Sequence, residues 1–304
     1  MEKRRILYGV PCGIAAFAAA LVMLIFVGSL LQYRYGMAGL AMTELMILAI
    51  ALLCTIGFSF DLKDTFPLAK PKGRQIGGTV VIWAGFWLLV MSLTMCLIAI
   101  FPDGFGDMES SMTDFIMGVS FPLRLFIMAV MPAVCEEALF RGFIQRAMEN
   151  MPQWPRVLLV SLLFGILHLD PIRIPITAAL GVGLGIVMVK TKNILLPILY
   201  HFLHNGISVL STLASGMFLA SGVPDAVMEA QALLENPKMM LVSSCFFGIG
   251  APFLILAGNI LLEPVRPYEQ GRFRNKRRQF TVAGIVTGIY ALGLVISILM
   301  VMRG

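Results

Sequence analysis

Charge is what this sequence has least of. Only 13% of its residues are Asp, Glu, Lys or Arg, where a soluble domain carries about a quarter. A chain that is 59% hydrophobic with a mean hydropathy of +0.89 cannot hide its apolar surface in water, which excludes an ordinary water-soluble domain. Cysteine is sparse and scattered. The five residues Cys12, Cys54, Cys96, Cys135 and Cys245 form no CxxC pair, so neither a disulfide framework nor a thiolate zinc site is indicated. They read as small core hydrophobes. Histidine is rarer still, with three residues in the chain. The helix-borne HExxH zinc pattern and the GxSG pattern of a serine nucleophile are both absent.

What the sequence has instead is long apolar runs. Crossing a bilayer takes about 20 apolar residues, and such runs fall near 8–32, 37–59, 76–101, 115–150, 156–170, 174–190, 194–216, 239–262 and 280–302. The fold expected is all-α, a polytopic transmembrane helix bundle of about eight to nine spans. In chain order it divides into N-terminal helices (1–114), a central helical core (115–216) and C-terminal helices (217–304). The basic start Met1–Arg5 before an apolar run resembles a signal peptide, but the run is too long for one and a second hydrophobic segment follows at once. It reads as a retained helix.

Lys and Arg set the orientation. With the N-terminus in the cytoplasm, Lys3–Arg5, Lys63–Arg74, Arg141–Arg156, Lys190–Lys192 and Arg266–Arg278 all fall on the cytoplasmic side. The opposite loops are acidic, with Asp103, Asp107, Glu109 and Asp114 in one and Asp225, Glu229 and Glu235 in another. The net charge of +6 therefore belongs to membrane anchoring against anionic headgroups, and no nucleic-acid partner is expected. Gly181 and Gly185 form a GxxxG pair, which close helix packing explains.

Against this apolar background one polar set stands out, since charged side chains inside a membrane are costly and usually functional. The fourth run holds Glu136, Glu137 and Arg141 (CEEALFRGF), the fifth ends on Phe164 and His168 (FGILHL), and the seventh holds His201, His204 and Asn205 (YHFLHNG). At ~1.5 Å per residue, the three helices place these groups at one depth, about 10–18 Å from the cytoplasmic ends, provided the fourth helix continues past Pro132. Glu137 and Arg141 are i,i+4 partners. Glu136 is turned about 100° away, free for another target.

A carboxylate in low dielectric can act as a general base, an imidazole can help polarise a water, and a His–Asn pair can donate to a developing oxyanion. The same Glu and His residues could instead hold a divalent metal, such as zinc, on Glu136, His168 and His201. Either route leads to hydrolysis of an acyl bond, here in a peptide or protein substrate at the lipid bilayer.

The three motifs Glu136-Glu137-x-x-x-Arg141, Phe164-x-x-x-His168 and His201-x-x-x-Asn205, in that order, resemble the signatures of the CPBP intramembrane proteases. These are the type II, glutamate-dependent CAAX prenyl proteases and their bacterial relatives linked to bacteriocin processing and immunity. The resemblance covers residues 120–215. It implies that Glu136 activates water with help from His168, that His201 and Asn205 form an oxyanion hole, and that Glu137 and Arg141 hold the site together. His204 has no assigned role. Members are often labelled metalloproteases, so a metal stays an open expectation. The short loops suit a bacterial cell membrane, and a prenylated substrate is not implied.

Gly104–Asp107 spells the GxGD of presenilin-type aspartyl proteases, but it lies in an expected external loop without a second intramembrane Asp. Two non-enzymatic readings compete. A proton-coupled transporter could use Glu136, His168 and His201 as a relay, though it should show paired inverted halves. A catalytically idle scaffold or immunity protein could keep the same residues.

Overall fold

A computed structural model describes residues 2–101, 119–220, 236–262 and 272–303, with side chains from 9–101, 119–214, 236–262 and 277–303. The acidic loops, the Gly104–Asp107 motif and the first part of the Arg266–Arg278 loop (266–271) lie outside these residues.

All regular structure among the described residues is helical. Helix α1 (Glu2–Met23) continues through a π-helical turn (Leu24–Gly28) into Ser29–Tyr35. Gly36, at φ 56° and ψ −128°, then reverses the chain in a conformation that side chains resist, and α2 (Met37–Gly57) packs back along α1. The short α3 (Leu62–Thr65) is capped by Asp61, whose carboxylate accepts from the backbone N–H groups of Lys63 (2.8 Å) and Asp64 (3.0 Å). Helix α4 spans Gly73–Ile100.

Helix α5 is assembled from Phe121–Leu125, a π segment Phe126–Val130, Met131–Glu137, a second π segment Ala138–Ile144, and Gln145–Ala147. It does run through Pro132, as the depth argument requires. Every residue of Ala138–Ile144 is buried, the mark of a helix enclosed on all sides. Then follow α6 (Gln153–Leu167), α7 (Arg173–Thr191), α8 (Leu195–Ala220), α9 (Pro237–Leu262) and α10 (Arg272–Met302).

Six helices among the described residues are long and apolar enough to cross a membrane: Gly9–Tyr35, Met37–Gly57, Gly73–Ile100, Arg173–Thr191, Pro237–Leu262 and Arg277–Met302. The three remaining runs of the sequence-based count are α5, α6 and α8, the helices that hold the polar set. Two π segments interrupt α5, α6 has only 15 residues, and α8 is diluted by His201, His204 and Asn205. In α8 the polar residues themselves lower the apolarity of the helix.

The helices fall into two compact units, Met1–Gln75 with Met112–Val209, and Ile76–Ser111 with Leu210–Gly304. In the second, α9 packs on both α4 and α10. Gly85 lies against the backbone of Ile255 and Gly258 against that of Ile82, and Ser244 Oγ donates to the Ser92 carbonyl (2.8 Å). The first unit contains the whole polar set. Within it α6 and α7 form a close hairpin. A Cβ on Gly181 would stand 3.0 Å from Ser161 Cα, and one on Gly185 3.0 Å from a Val157 methyl, so the GxxxG pair serves packing.

Candidate active site

The site is built around one ion pair. Glu137 is fully buried at 0% exposure and Arg141 at 1%. One turn apart on α5, they meet with Arg141 Nη1 donating to Glu137 Oε1 at 2.9 Å. Arg141 Nη2 donates to the Gly181 carbonyl of α7 at 3.1 Å. His201 of α8 approaches the same Glu137 oxygen through Nδ1, also at 2.9 Å. Since that oxygen already accepts from a guanidinium, it is a carboxylate oxygen and the imidazole Nδ1–H is the donor. Three helices are thereby pinned on one ion pair.

Phe164 is the aromatic hub. Its ring stands edge-on to Phe140 (5.1 Å between centroids), His168 (5.1 Å) and His201 (5.8 Å). The Arg141 guanidinium lies 4.6 Å from its centroid, within cation–π range. One phenyl group thus touches both imidazoles and the structural cation, which accounts for the aromatic four residues before His168.

His168 is the residue that ends α6: the last helical residue is Leu167, and Leu169 turns into the left-handed region at φ 56°. Its Nδ1 lies 2.9 Å from the Phe164 carbonyl, which can only accept, so Nδ1 bears a proton and Nε2 is the nitrogen that is an acceptor in the neutral ring. The side chain is exposed at the helix end.

Asn205 Nδ2 donates to the Met128 carbonyl of α5 at 3.2 Å. That carbonyl lies four residues before Pro132, which has no N–H to give it. The proline in the motif helix and the asparagine on α8 therefore answer one another, and the amide keeps its second N–H. His204 lies one turn from His201 and within electrostatic reach of His201 and His168; its Nδ1 is buried without a partner among the described residues.

Glu136 differs from its neighbour. It is half-buried, and its Oε2 has no hydrogen-bond partner among the described residues. Its charge acts on Arg141 and on Glu44 of α2. Glu44 is 4% exposed, with one unpartnered oxygen, and was passed over in the sequence. Its signal was a lone carboxyl in a 21-residue helix of otherwise apolar and small residues. Tyr200 was missed too: it is fully buried at 0% exposure beside Arg141 and Glu137.

The donor set expected for a metal does not gather. Among the described residues no three His, Cys, Asp or Glu side chains are placed to hold an ion.

Comparison with known proteins falls on this same stretch. Residues 118–207 match the family described as type II CAAX prenyl endopeptidase Rce1-like. The chain is 29% identical over 142 residues to "Putative membrane peptidase YdiL" of Bacillus subtilis (strain 168), covering 45% of this chain and 58% of that protein. It is 27% identical over 143 residues to "Membrane-embedded CAAX protease MroQ" of Staphylococcus aureus (strain USA300), covering 43% and 58%. The chain thus spans less than two thirds of the length of either relative. No solved structure matches the chain.

Proposed function

We propose that this protein is an intramembrane endopeptidase that hydrolyses a peptide bond of a membrane-associated protein or peptide, using water activated by Glu136. The observation behind this reading is the division of labour between adjacent carboxyls. Glu137 is held through Oε1 by Arg141 and His201, while no hydrogen bond or ion pair holds Glu136 among the described residues; both carboxyls leave Oε2 unpartnered.

In the mechanism Glu136 takes a proton from water as the hydroxyl oxygen attacks the scissile carbonyl, and His168 Nε2 accepts from the same water to orient it. The developing oxyanion receives the free N–H of Asn205 and the Nε2–H of His201. His201 can donate from Nε2 only when both ring nitrogens are protonated, and Glu137 then compensates the imidazolium. With Glu136 ionised, the set Glu136, Glu137, Arg141 and His201 is electrically neutral, as a desolvated site favours. Glu136 finally returns its proton to the leaving amine, so water is the only reactant consumed.

The Lys/Arg asymmetry of the sequence supports cleavage near the cytoplasmic face, and the bacterial sources of the relatives support a bacterial cell membrane. The relatives' names support a peptide substrate, and nothing on this chain selects a prenylated one. The test is to reconstitute the full chain in liposomes with quenched-fluorescent peptide libraries and compare wild type with Glu136→Gln. A general base contributes about 10²–10⁴-fold, so turnover should fall by at least about a hundredfold. Equal turnover would overturn the peptidase reading. Proton-driven solute uptake abolished by the same change would favour a transporter.

A further inference from the structure

At the end of the first unit where α5 finishes and α6 begins, a cleft of about 660 Å³ opens, and of the polar set only Arg141 reaches its wall. The rest of the lining comes from α3, the end of α5 and the residues after it, the start of α6 and the end of α7. The chain around it is braced: Ile194 N–H donates to the Pro67 carbonyl (3.0 Å) and Asn193 Nδ2 to the Ala69 carbonyl (2.8 Å).

The lining is unbalanced in charge. Arg146 is compensated by Asp64 (3.1 Å) and Glu149. Lys63, Arg156 and Lys192 line the same cleft and have no salt-bridge partner among the described residues. Two further lining groups are incomplete. Arg156 has its Nε buried without an acceptor, and Gln145, only 5% exposed, has its Oε1 buried without a donor. Orphaned groups of this kind are destabilising unless something binds them.

Uncompensated cations and an unmet acceptor in one cavity call for a ligand with anionic oxygens and a hydroxyl. The rim shows where it comes from. Trp154 (56% exposed), Leu62 (49%) and Leu68 (70%) are exposed apolar side chains beside the lining, a tryptophan at a helix start being typical of the headgroup level of a bilayer. We infer that this cleft binds the phosphodiester headgroup of an anionic, hydroxyl-bearing phospholipid of the phosphatidylglycerol type. The phosphate sits among Lys63, Arg156 and Lys192, and a headgroup hydroxyl donates to Gln145 Oε1. Since Gln145 follows Arg141 by one turn, the bound lipid also steadies the end of α5 that supports the Glu137 pair.

The test uses the full-length protein in detergent micelles. Phosphatidylglycerol or phosphatidylcholine is added at equal mole fraction, with native mass spectrometry counting retained lipid and thermal melting reading stability. The variants are Lys63→Gln, Arg156→Gln and Lys192→Asn, the last because Asn tolerates the left-handed backbone at φ 49°. Wild type should retain phosphatidylglycerol preferentially and melt higher in it. Each substitution should weaken that retention by about fivefold, the equivalent of ~1 kcal/mol per basic residue at a membrane surface, with unchanged melting in phosphatidylcholine. Arg277→Gln with Arg278→Gln should leave the preference intact. Equal retention of both lipids, loss in the Arg277/Arg278 control, or equal protection by inorganic phosphate or a peptide carboxylate would each overturn the assignment. None of these readouts depends on peptidase activity.

Discussion

Arg141 shows how much rests on one side chain. It neutralises Glu137, reaches the Gly181 carbonyl and stacks on Phe164. Arg141→Met strands a buried carboxylate, and breaking such a pair costs about 3–5 kcal/mol. The expected outcome is a large drop in melting temperature in detergent, largely recovered in the double variant Glu137→Gln/Arg141→Met, which keeps the volume and removes both charges. Arg141→Lys should rescue poorly, because an ammonium cannot span both acceptors in the fork geometry of a guanidinium. Asn205→Ala carries the opposite expectation. Losing one oxyanion donor lowers kcat by about 10²–10³, and steady-state kinetics of the reconstituted protein should show that fall with KM little changed. A kcat within a few-fold of wild type would remove Asn205 from the oxyanion hole.

Among the helices, α5 is the element that decides the site. Its two π segments bracket Met131–Glu137, and such segments are rare and concentrated at functional sites. Pro132→Ala would restore an N–H to the Met128 carbonyl and compete with Asn205 for it. We expect a more stable helix and a slower enzyme from the same substitution, read by melting and turnover together; unchanged turnover would show that the Asn205 anchor is dispensable. The α6–α7 hairpin makes a second test. Gly181→Val must push into the Ser161 backbone, 3.0 Å away from a bare Cβ, and would shift the carbonyl that Arg141 uses. A cost of about 1–3 kcal/mol is expected from overpacking, visible as a lower melting temperature and lower activity.

For the whole molecule the strongest expectation is topology. Single cysteines introduced at Lys3, in the Lys63–Arg74 segment and in the Arg266–Arg278 loop of a cysteine-free variant should resist a membrane-impermeant maleimide applied to intact cells. Cysteines in the acidic loops near Asp107 and Asp225 should react. The reverse pattern would invert the orientation and move the expected cleavage to the outer face.

Membrane residence, an all-helical fold and the identity of the polar set were legible in the sequence because they depend on composition and on short-range spacing. Lipid leaves a backbone few solutions, and an i,i+4 pair such as Glu137 and Arg141 meets whenever the helix forms. Even the expected continuation of α5 past Pro132 depended on local geometry, although Asn205 meets the carbonyl it leaves from another helix. Span count was less legible, since π segments interrupt α5, α6 is short, and the polar residues of the site erode the apolar signal of α8.

Only the tertiary structure decided what depends on residues far apart in the chain. That His201 donates to Glu137, that Phe164 joins both imidazoles, that Glu44 and Tyr200 belong to the neighbourhood, and that Ile76–Ser111 groups with Leu210–Gly304 are facts about how helices pack. Helix faces in lipid are apolar on almost every side, so periodicity does not say which face meets which partner. The scarcity of charge that first marked this chain as a membrane protein also makes each buried charge informative, and tertiary packing decides which of them is held by a partner and which is left free to react.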